Sequence, residues 1–215
     1  MVLVPNPAIP TWVKVAYSAF VAIVVPCYWV TYSPWNFLYF CDIALLVTAV
    51  AIWIEGPLLV SMQAVAITIP QLVWVVDFLG RLIAGVHITG ITGYMLDSNI
   101  PLFLRALSLF HGWLPFFLLW SLSRLGYDRR ALGAQSVVAI VVLFISYFMA
   151  PAPPPSADHP NWAVNINYVY GLDDKHPQTM MAPGLWLLFI TAVAMAIYLP
   201  THFVLRRVFK APASR

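Results

Sequence analysis

Charge is scarce in this chain. Lys, Arg, Asp and Glu make up 9% of its 215 residues, against 62% hydrophobic residues, too little charge for the surface of a water-soluble domain of this size. Cysteine is scarcer still. Cys27 and Cys41 are the only two, and both fall in apolar runs, so neither a disulfide framework nor a cysteine-rich zinc site is supported. The short alternating segments that build an outer-membrane barrel are also missing, because runs such as Val137 to Phe148 are almost continuously apolar and suit helices that satisfy their own backbone hydrogen bonds. No basic stretch precedes the first apolar run, which is too long and aromatic for a cleaved signal, so the N-terminal segment is expected to stay. Pro26 stands before Cys27 where a lipoprotein cleavage site needs a small residue. The net charge of +3 comes largely from loop and tail Lys and Arg and makes no case for nucleic acid as a partner.

What remains is a succession of apolar runs of about 20 residues, each matched to a hydrocarbon core of about 30 Å. They predict an all-α fold, a polytopic transmembrane helical bundle forming one domain over residues 1–215, with spans at about 11–32, 35–54, 57–80, 101–123, 131–150 and 184–206. Ser33-Pro34, Glu55-Gly56-Pro57 and the run Pro151-Ala152-Pro153-Pro154-Pro155 punctuate them. Residues 81–100, with their glycines, His87, Asp97 and Asn99, read as an interfacial or re-entrant piece; if they span instead, there are seven helices. The loop 151–183 lies outside, and its Asn165–Gly171 core alternates apolar and polar residues, as a strand or a cap across the helix ends would. The basic tail and the arginines of Arg124–Arg130 place both termini in the cytoplasm, with a bacterial inner membrane as the expected location. No internal repeat points to an inverted-repeat transporter.

Polar groups inside these runs mark the candidate site. Counting about 1.5 Å per residue from the outer side puts Cys41 about 9 Å deep and His111 about 15 Å deep. Asp42, Asp77, Arg81 and Arg105 share that leaflet. Ionisable residues in lipid need partners, so these groups are expected to neutralise one another around an outward-opening cavity, Asp77 and Arg81 pairing at i,i+4. In such a cavity Cys41 would be a nucleophile, His111 its base and Asp42 or Asp77 the group that orients the imidazole; Asn36, Asn167 or Tyr168 would donate hydrogen bonds to an oxyanion. Ser108, three residues before His111, faces the same way. Plainer readings stand beside these: a packing cysteine, a histidine bonded across a helix interface, interfacial ion pairs and an aromatic belt.

Phe40-Cys41-Asp42-Ile43-Ala44 in an early helix, Phe110-His111-Gly112 in a later one, and Asn167-Tyr168-Val169-Tyr170 followed by Lys175-His176-Pro177 resemble the YwaF-like integral membrane family. That family has eukaryotic relatives that include an acyltransferase of phospholipid metabolism. The resemblance implies a Cys-His acyl-transfer centre at Cys41 and His111, with Asn167 and Tyr168 matching the family's Asn-Tyr element. Asn36-Phe37-Leu38-Tyr39 departs from the proline and short-loop pattern of the family's cysteine helix.

Three functions follow from this reading. One is lipid-directed acyl transfer by the Cys-His pair. Another is a non-catalytic lipid- or partner-binding subunit of a membrane complex. The third is a small-solute transporter, for which the inner half of the bundle offers little beyond Gln63 and Glu55. Membrane lipids and a protein partner are the expected partners, and no metal or cofactor is implied.

Overall fold

The computed structural model describes residues 7–212 and contains helices, turns and loops, with no strand among the described residues. Residues 1–6, part of the N-terminal segment expected to stay, and Arg215 of the basic tail lie outside them. The helices are α1 (Thr11–Tyr32), α2 (Phe40–Trp53), α3 (Pro57–Ala84), α4 (Leu102–Leu107), α5 (Phe110–Leu125), α6 (Ala131–Phe148) and α7 (Pro183–Val208). Helices α4 and α5 follow one another as a single column. Of the six columns, five are long and apolar enough to cross a membrane, and α2, with 14 residues, is the short one.

Helix α3 is the spine. It starts with Pro57 in its first turn, where the missing N–H costs nothing, and it packs against α2, α5, α6 and α7. Every residue from Val60 to Thr68 is buried. Its end explains why residues 81–100 do not form a seventh span. Gly85 turns left-handed at φ 67°, its N–H and that of Val86 close on the carbonyls of Arg81 and Gly80, and the helix stops. Beyond it the chain makes a largely exposed loop with one short turn, Gly93–Leu96.

The 35–54 run differs most from expectation. At about 1.5 Å per residue, α2 rises only about 20 Å, against about 33 Å for α1 and about 42 Å for α3, so its first turn sits well below the ends of its neighbours. The column is completed by the 3-10 turn Pro34–Leu38, the extended Tyr39, and a second turn, Ile166–Tyr168, contributed by the long loop. The loop core is therefore a cap and not a strand. Asn165, Asn167 and Tyr168 have φ of 50°, 56° and 62°, values no β ladder accommodates and asparagine tolerates best. Val169 packs with Leu143 and Leu187, and Phe40 and Tyr147 close over them. Such irregular backbone is tolerated where protein packs against it, as it does around the buried Asn165, Ile166, Asn167 and Val169.

The 101–123 run is also interrupted. Between α4 and α5 the bonds tighten, with Leu109 N–H reaching Ala106, His111 N–H reaching Ser108 and Gly112 N–H reaching Leu109. A tight segment inside a helical column often marks a functional point. Here it lies beside His111.

Candidate functional site

Cys41 and Asp42 occupy the first turn of α2, with Asp42 favourably placed near the positive end of the helix dipole. Asp42 is 3% exposed. One of its oxygens, Oδ2, accepts from Asn36 Nδ2 at 3.2 Å and from the Cys41 thiol at 3.6 Å, while Oδ1 has no hydrogen-bond partner. The structure thus joins Asn36, Cys41 and Asp42 into one cluster.

It does not join them to His111. The His111 Nδ1 lies 2.8 Å from the Ser108 carbonyl, which makes it the protonated nitrogen, and the ring stacks at 5.4 Å on Trp74. Among the described residues no hydrogen bond links the imidazole to Cys41 or Asp42. Ser108 is itself engaged, its hydroxyl 2.7 Å from the Tyr28 hydroxyl, and Trp74 Nε1 donates to Tyr94 at 3.2 Å. Burial pushes the Tyr94 phenol up.

The mutual neutralisation expected of the outer ionisable groups does not occur. Asp77 Oδ1 accepts the backbone N–H groups of Ile88, Thr89 and Gly90, and Oδ2 accepts the N–H and hydroxyl of Thr92. Those donors saturate the carboxylate, which folds the 88–92 loop around itself and leaves none of its oxygens to Arg81. Arg105 instead donates to the Met95 carbonyl at 3.1 Å. The ion pairs among the described residues are Lys14–Glu55, Arg130–Asp128 and His176–Asp173, all away from this cluster.

Asn167 is positioned for structure. Its Oδ1 accepts the Phe40 N–H at 3.1 Å and its Nδ2 donates to the Leu38 carbonyl at 2.8 Å, so a side chain 127 residues away caps the start of α2. Tyr168 contributes its carbonyl, which accepts from Trp186 Nε1 at 2.8 Å. The residue is 43% exposed.

Apart from Gln63, the bundle interior holds polar groups not singled out from the sequence. Thr48, Gln63, Gln71, Gln135, Ser146 and Tyr198 are all buried, and each has a side-chain oxygen with no hydrogen-bond partner; in Gln71 the nitrogen lacks one too. Tyr198 lies near Gln135 without a hydrogen bond of normal length. Counting rises from the tail end of each helix gives two layers, Thr48, Gln63 and Gln135 at about 6 to 9 Å and Asp42, Gln71 and Ser146 at about 17 to 22 Å, with Tyr198 at about 15 Å by the same count. A signal was available in the spacing. Gln135 and Ser146, eleven residues apart, fall on one face of α6 with Ala139 and Val142, all buried.

His202 Nδ1 meets the buried Tyr127 hydroxyl at 2.7 Å. Beside the tail end lies a cavity of about 750 Å³ whose lining includes Glu55, Ser123, Arg124 and Lys210. No family model, no curated protein and no solved structure matches this chain.

Proposed function

We propose that the bundle is a narrow transmembrane pathway for protons, with Asp42 as its central acid. The observation that carries this reading is the pair of polar layers in the buried core. A buried polar atom without a partner costs about 1 to 3 kcal/mol. Asp42, Gln63, Gln71 and Ser146 each carry such an atom, whereas Thr48 faces the Tyr17 hydroxyl and Gln135 that of Tyr198. Water threaded between the layers would supply the missing hydrogen bonds, and the same waters would pass protons from His202 through the glutamines to Asp42. The proton needs the least room of any solute, which suits a core this closely packed.

Charge sets the orientation of the proposal. The tail end bears Lys14, Arg124, Arg129, Arg130 and the basic residues of α7 against Glu55 and Asp128, an excess that supports a cytoplasmic tail end and a bacterial inner membrane. Acyl transfer would need the thiol and imidazole to share a hydrogen bond, and Cys41 is bonded to Asp42 instead. Reconstitution into vesicles with a trapped pH dye and an imposed potassium diffusion potential tests the reading. Proton uptake that disappears in Asp42→Asn supports it, and uptake unchanged by that substitution removes its basis.

A further inference from the structure

Two arginines at the loop end have no carboxylate partner among the described residues. Arg81 Nη2 meets only the His87 imidazole, while Nη1 is buried without an acceptor and faces Gly93, where a Cβ would lie 3.1 Å from it. Arg105 approaches the same Gly93–Leu96 turn from α4. Its Nη1 donates to Met95, and its Nε is buried without an acceptor. Two guanidinium groups therefore converge on one four-residue turn with donors left over.

A shallow cavity of about 510 Å³ opens there, lined by Arg81, Gly85, His87, Gly93, Leu96 and Asp97. The Asp97 carboxylate is turned to Asn99, accepting both its backbone and its side-chain N–H at 2.9 Å. By helical rise from the tail end, Arg81 stands about 36 Å up and Arg105 about 30 Å up, the edge of the hydrocarbon core and the level of lipid phosphates. Ile83, Val86, Ile88, Leu102 and Phe103 are exposed nearby, an apolar rim fit for acyl chains.

We propose that this cavity binds the phosphate of an anionic phospholipid in the leaflet at the loop end. Guanidinium matches phosphate with paired, charge-assisted hydrogen bonds about twice as strong as neutral ones, so a phosphate takes the place of the His87 ring against Arg81, and Arg105, outside the lining, adds its charge from across the Gly93–Leu96 turn. The site is separate from the interior layers and stands whether or not protons pass.

Native mass spectrometry of the purified chain in detergent, titrated with phosphatidylglycerol, phosphatidylcholine or inorganic phosphate, tests the assignment. Wild-type protein retains phosphatidylglycerol in preference to phosphatidylcholine, and the Arg81→Gln, Arg105→Gln variant loses that retention about tenfold, about 1.4 kcal/mol. The Arg81→Lys, Arg105→Lys variant, which keeps the charges without the fork, retains an intermediate amount and decides the matter if the glutamine variant does not fold. Arg124→Gln, at the opposite end, changes nothing. Retention of phosphatidylglycerol at the wild-type level in both double variants, or equal retention of the two lipids, overturns the proposal. Full displacement by inorganic phosphate at the same concentration overturns the lipid as source and leaves a free-anion site.

Discussion

Removing Asn167 should loosen the protein far more than its small side chain suggests. Asn167→Ala deletes the acceptor of the Phe40 N–H and the donor to the Leu38 carbonyl, leaving two buried backbone groups unsatisfied at about 1 to 2 kcal/mol each. Alanine must also hold φ at 56°, which adds about 1 kcal/mol. The expected loss is about 3 to 5 kcal/mol, which lowers the melting temperature in detergent by roughly 10 °C for a chain of this size. Asn167→Gly makes the same two groups unsatisfied but takes the left-handed conformation freely, so it should recover about 1 kcal/mol of the loss. Tryptophan fluorescence during thermal unfolding measures both, and amide exchange at Phe40 locates the effect. An Asn167→Ala protein melting within 2 °C of wild type, or one melting no lower than Asn167→Gly, would refute this account of the cap.

Two other substitutions test other parts of the fold. Burial pushes the Glu55 carboxyl up, but hydrogen bonds from Lys14 and the amides of Ile9 and Ala8 outweigh it and hold the group at about 2, below its ordinary 4.5. A lowered folded-state value contributes stability that is complete above the ordinary value and lost as pH falls from there towards 2, so Glu55→Gln should flatten the acid limb of a melting-temperature profile between those limits. A limb that keeps its wild-type slope would show that other carboxyls carry it. Gln135→Leu removes an orphan amide from the core, and it should raise the melting temperature by a few degrees while slowing proton uptake several-fold, a trade between stability and function. If stability falls and uptake persists, the amide has a protein partner and belongs to no path.

The apolar runs made the bundle legible, because lipid permits few alternatives to a helix of about 20 apolar residues. The short α2 was not legible. Nothing in Trp35–Tyr39 forbids a helix, and the decision rests with Asn167, far along the chain, whose capping no local pattern announces. The alternation in Asn165–Gly171 suggested a strand or a cap; three left-handed residues made it the cap. Asp77 and Arg81 stand at helical pairing distance, yet a loop of backbone N–H groups binds the carboxylate more completely than one guanidinium could. Cys41, Asp42 and Asn36 could be read as a cluster because they are close in sequence. Gln71, Gln135, Ser146 and Tyr198 could not, since a lone polar residue in an apolar run is informative only once its neighbours are known.

The central claim is that Asp42 carries protons and Cys41 with His111 does not. Proton uptake into vesicles, driven by a potassium diffusion potential, should fall at least tenfold in Asp42→Asn and return in part in Asp42→Glu, with Cys41→Ser and His111→Ala close to wild type. Uptake that survives Asp42→Asn, or that fails in Cys41→Ser and His111→Ala alike, would contradict it.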